Sequence, residues 1–63
     1  MKLAAREREI LCLAAEGLTD KEIAHRLGIK FRSVRSYWDR MMVKLNAVSR
    51  LNAYAIWIYQ DRP

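Results

Sequence analysis

The stretch Thr19-Asp20-Lys21-Glu22-Ile23-Ala24-His25-Arg26-Leu27-Gly28-Ile29-Lys30-Phe31-Arg32-Ser33-Val34-Arg35 decides how this chain folds. Thr19 followed by Glu22 is a capping box, in which the hydroxyl and the carboxylate each satisfy an amide at a helix start. The helix it opens covers 20–27, with Ile23, Ala24 and Leu27 as a short apolar stripe. Gly28 breaks it, and a second helix begins at about Phe31. A three-residue turn containing Gly joins two helices at a steep angle, so the second projects outward.

That projecting helix spans 31–45, roughly 22 Å at ~1.5 Å per residue. Val34, Trp38, Met41 and Leu45 recur at helical spacing and define its buried stripe. Arg32, Arg35, Ser36, Asp39, Arg40 and Val43 form the opposite stripe. Asn46 suits the left-handed residue that closes a helix. Upstream, a helix over about 4–16 puts Ile10, Leu11 and Ala14 on one face, with Leu3 and Leu18 near its ends. Gly17 stops it, and Ala4 is a poor N-cap. Downstream, Ser49 caps a helix over 49–60. Its Tyr54–Tyr59 segment is apolar all round and also suits a strand. Helix is preferred because a lone strand would have no partner. The expectation is an all-α, four-helix domain covering 1–63.

Composition narrows the function. With 63 residues, 52% hydrophobic and 30% charged, the chain is one small globular domain that buries only ~60% of its unfolded surface. That leaves no room for a layered core plus a substrate cleft, so an enzyme is not expected. No Ser/His/Asp grouping, phosphate-binding glycine loop or zinc spacing occurs, so neither a cofactor nor a metal is expected. His25 reads as a surface residue. Cys12, the single cysteine, reads as a partly buried small residue. A chain of this size with no cysteine framework fits a reducing, cytoplasmic setting. The longest apolar run, 53–59, falls far short of the ~20 residues that span a bilayer. Arg6-Glu7-Arg8-Glu9 so near the start rules out a signal-peptide core.

Charge is segregated. Residues 1–29 hold five basic and five acidic side chains, and residues 30–63 hold seven basic and two acidic, so the whole net charge of +5 lies in the second half. A segregated basic field suits a polyanionic partner, and equally a solvated surface. The short turn and the basic outer stripe of the projecting helix favour duplex DNA. A helix fits the major groove, where a guanidinium pairs with guanine O6 and N7. A plain helical hairpin with a basic solvent face is the simpler alternative.

Arg6-Glu7-Arg8-Glu9-Ile10-Leu11, Ala15-Glu16-Gly17-Leu18-Thr19-Asp20-Lys21-Glu22-Ile23-Ala24, Arg26-Leu27-Gly28-Ile29, Ser33-Val34-Arg35, Lys44-Leu45 and Ser49-Arg50 with Ala53 together resemble the DNA-binding domain of the LuxR/GerE family of bacterial regulators. The resemblance covers about 3–57. It implies a LuxR/GerE-type helix-turn-helix fold, with the third helix reading the major groove and the fourth commonly forming a homodimer. Position by position, it implies base reading at Arg35 and Ser36, with Asp39 one turn on. Backbone contacts are implied at Thr19 and Lys21, and phosphate proximity at Ser33 and Lys44. Arg32 and Arg40 join this set from the helical stripe. The family usually has Ser where this chain has Lys30, and Lys30 cannot cap the third helix but could grip a phosphate. Asp39 could accept from a cytosine amino group, pair with Arg35 or Arg40, or mark a surface that reads DNA differently. The pair with Arg35 at i+4 is preferred.

On the fourth helix, Ala53 and Ile56, helped by Leu51, are expected to close the core. Tyr54, Trp57 and Ile58 are left uncovered, as a homodimer surface or as aromatics capping a small core. The first 45 residues also resemble the C-terminal helix-turn-helix of sigma factors, which makes a protein-binding module engaging the transcription machinery the alternative function. Family members usually carry a sensory module ahead of this domain. The sequence leaves open a stand-alone regulator or an excised C-terminal domain.

Overall fold

Stop signals close the first three helices, and side-chain caps open the second and the fourth. The computed structural model describes residues 3–60, which contain α1 (Ala5–Ala15), α2 (Asp20–Leu27), α3 (Phe31–Leu45) and α4 (Arg50–Gln60). Gly17 (φ 101°) and Gly28 (φ 67°) take the left-handed conformation that lets the chain turn out of α1 and α2. Asn46 does the same after α3 at φ 53°. The Ser49 hydroxyl accepts from the Asn52 amide at 3.0 Å and caps α4. The 54–59 segment is helical throughout.

α3 is the central element and packs against each of the other three helices. Its buried side chains are Val34, Trp38, Met41 and Leu45, as the spacing predicts. They meet Ile10 and Leu11 from α1, Ile23 and Ala24 from α2, and Ala53 and Trp57 from α4, with Leu3 closing one end. The Trp38 and Trp57 indole N–H groups lie in this core without a hydrogen-bond partner among the described residues, a penalty that the surrounding apolar burial must outweigh. Among the described residues, no helix is long and apolar enough to cross a membrane.

Three expectations are corrected here. Trp57 is only 6% exposed and belongs to the core, whereas Leu51 is 80% exposed and does not help close it. An all-round apolar helix gives no periodic clue to which face turns inward. Cys12 is exposed rather than partly buried.

Among the described residues, Glu7 is the one charged residue of the core, 1% exposed. Its carboxylate accepts from the Ala4 amide and from Lys44 Nζ, both at 2.8 Å. The first bond repairs the weak start of α1, and the second ties α1 to the last turn of α3. Burial raises the Glu7 pKa. The Lys44 and Ala4 hydrogen bonds and the Lys44 and Arg40 charges outweigh it and hold the carboxyl below its ordinary value.

Candidate nucleic-acid interface

The two helices flanking the Gly28–Lys30 turn begin differently. At α2, the Thr19 amide donates to Glu22 Oε1 at 2.8 Å, and Thr19 Oγ1 accepts from the Glu22 amide at 3.2 Å. The Thr19 amide and hydroxyl also lower the Glu22 pKa. At α3, Lys30 occupies the N-cap position and makes no side-chain capping bond. Its carbonyl accepts from Ser33 and Val34. The amides of Phe31 and Arg32 have no partner among the described residues. The turn itself is closed by the Ile29 amide donating to the Ala24 carbonyl at 3.0 Å.

α3 turns one complete face to solvent. Arg32, Arg35, Ser36, Asp39, Arg40 and Val43 are all exposed, Ser33 is half-buried, and Lys30, Thr19 and Lys21 are exposed beside them. Arg32 and Arg35 make no ion pair among the described residues. Arg40 lies over the Tyr37 ring at 4.8 Å, a cation–π contact that steadies the guanidinium. Lys44 is set apart from this face, because its ammonium is directed to Glu7.

The expected Arg35–Asp39 ion pair does not form, nor does Asp39 pair with Arg40. An acid four residues after a base is the less favourable order on a helix. The short Asp39 side chain adds little reach.

Sequence reading missed a second constellation. Asp20, in the first turn of α2, accepts a bidentate pair of hydrogen bonds from Arg50, each 2.8 Å. Arg50, the first residue of α4, lies over the Trp38 ring at 4.5 Å. This clamp joins α2, α3 and α4 behind the exposed face. Asp20 and Arg50 are 30 residues apart, so no local pattern announced them. Glu7 had a local signal, being three residues after a poor cap, but its neighbours Arg6, Arg8 and Glu9 mimic a solvated face.

The family described as bacterial regulatory proteins, luxR family, matches residues 1–57. This chain belongs to the LuxR family. Its four helices form the DNA-binding helix-turn-helix domain of that family. Among LuxR-family relatives, the nitrate/nitrite response regulator protein NarL of Escherichia coli (strain K12) is 43% identical over 61 residues, 97% of this chain and 28% of NarL. The transcriptional regulatory protein LiaR of Bacillus subtilis (strain 168) is 43% identical over 59 residues, 94% of this chain and 28% of LiaR. The DNA-binding transcriptional activator DevR/DosR of Mycobacterium tuberculosis is 36% identical over 63 residues, 97% of this chain and 29% of that protein. The chain thus spans less than a third of the length of these relatives.

Proposed function

We propose that this domain binds duplex DNA sequence-specifically in the cytoplasm and regulates transcription, with α3 in the major groove. The observation that carries this reading is the exposed face of α3, where Arg32 and Arg35 stand without ion pairs among the described residues. Arg35 and Ser36 read base edges, and Arg32 and Arg40 border them. Thr19, Lys21, Lys30 and Ser33 hold the phosphates on either side, with the open amides at the start of α3 aiding them. Lys44 supports this surface from behind through Glu7.

The active form is a homodimer through the outer face of α4. Leu51 and Tyr59, 80% and 88% exposed, lie on this face with Ala55, and the half-buried Tyr54 and Ile58 flank them. Apart from the clamped Arg50, the helix has no charged residue to oppose apolar contact. A two-fold through it would set two copies of α3 about one turn of DNA apart, ~34 Å.

The test is a fluorescence-anisotropy titration of duplex DNA at several salt concentrations. A log–log slope of several units is expected from multiple phosphate contacts. Arg35→Ala should cost ~1–3 kcal/mol of specific affinity. Weak binding with a flat salt response would sink the reading. For the dimer, Leu51→Glu with Tyr59→Glu should elute as a monomer beside a larger wild type. Identical elution would remove the dimer assignment.

A further inference from the structure

We infer that Asp39 is a specificity-determining residue that selects a cytosine amino group in the major groove. The inference rests on the DNA reading of α3. Asp39 is exposed on the same face as Arg35, one turn further along. It pairs with no cation among the described residues, although Arg35 lies at i−4 and Arg40 next to it. Arg40 is engaged with the Tyr37 ring instead. The carboxylate therefore enters the groove unneutralised.

A free carboxylate there is repelled by phosphates on both sides. It is accommodated where a donor faces it, and the base-edge donors of the major groove are the amino groups of cytosine and adenine. Adenine places its N7 acceptor beside the amino group, against the second carboxylate oxygen. Cytosine offers its N4 amino group with no acceptor at its side. Cytosine is thus the base that Asp39 fits. Four helical residues advance ~6 Å, against ~3.4 Å per base step. The cytosine accordingly lies within one or two steps of the guanine read by Arg35. The charge that weakens non-specific attraction becomes the element that rejects wrong sequences.

Selection from a randomised duplex library, run on the wild-type chain, Asp39→Asn and Asp39→Ala, tests this. The wild type should enrich cytosine at one position near the Arg35 guanine by about tenfold. Asp39→Asn should shift that position to adenine, whose N6 and N7 match a carboxamide. Asp39→Ala should flatten that position alone while tightening binding to duplexes that lack the cytosine. Tighter binding by Asp39→Ala with base preferences unchanged at every position would show Asp39 to be merely repulsive, and would overturn the inference. If the wild type enriches no duplex, the DNA reading itself fails and takes this assignment with it. Asp39 lies on an exposed helix surface, and matching circular-dichroism melting curves would establish that the variants fold.

Discussion

The starts of α2 and α3 lie on either side of one short turn and are built on opposite principles. α2 closes its own start. Thr19 and Glu22 cap each other's amides, and Asp20 adds a negative charge where the helix dipole favours one. α3 leaves its start open. Lys30 offers no acceptor, and its positive charge opposes the dipole. The longer helix depends on tertiary burial for its stability, and its first turn stays available to an anion. A scaffold helix that completes itself locally stands beside a reading helix whose outer end awaits a partner.

The comparison can be broken most forcefully from inside. If α3 is held by its buried stripe, Trp38→Ala should cost ~3–5 kcal/mol. That is comparable to the whole stability expected of a domain this small, ~0.05–0.15 kcal/mol per residue. It would also strip the ring beneath Arg50. Urea unfolding followed by circular dichroism measures this, and a loss below ~1 kcal/mol would mean that local capping matters more.

The next effect is smaller and depends on pH. Lys44→Ala leaves Glu7 buried with only the Ala4 amide, and should cost ~2 kcal/mol at neutral pH. This is less than for a fully enclosed pair, because Lys44 is partly open to water. The folded pKa of Glu7 is depressed, so its contribution is complete above the ordinary glutamate range. It is lost as pH falls through the lower folded value. The wild-type chain and the variant should therefore converge in stability on acidification, and a constant gap down to pH 3 would contradict the pair's role.

The finest comparison sets the two caps directly against each other. Thr19→Ala should remove ~1 kcal/mol. Lys30→Ser should add ~0.5–1 kcal/mol to the free protein and lower the DNA salt slope by about one unit. If both substitutions move the melting temperature in the same direction, the contrast between the two starts is wrong.

Much of this was legible in advance, because it depends on spacing and local chemistry. Val34, Trp38, Met41 and Leu45 announce their face by period. Gly17, Gly28 and Asn46 announce the turns, and Thr19 and Ser49 the helix starts. What stayed hidden depends on partners distant in sequence or on a missing period. Glu7 meets Lys44 37 residues away, and Asp20 meets Arg50 30 away. Trp57 and Leu51 could not be told apart on an apolar cylinder. The outward stripe of α3 was readable, but the unpaired state of Asp39 was not, because an i, i+4 spacing permits an ion pair without requiring one.

The two orphaned indoles also have an optical consequence. Trp38 and Trp57 are the chain's only tryptophans, and both N–H groups are buried without a hydrogen-bond partner among the described residues. Their emission should shift to the red when the core opens. Trp38 lies on the inner side of the helix that bears Arg35, directly beneath the Arg50 guanidinium. The protein thus has an intrinsic fluorophore behind its reading face, sensitive to any movement of that helix without a label.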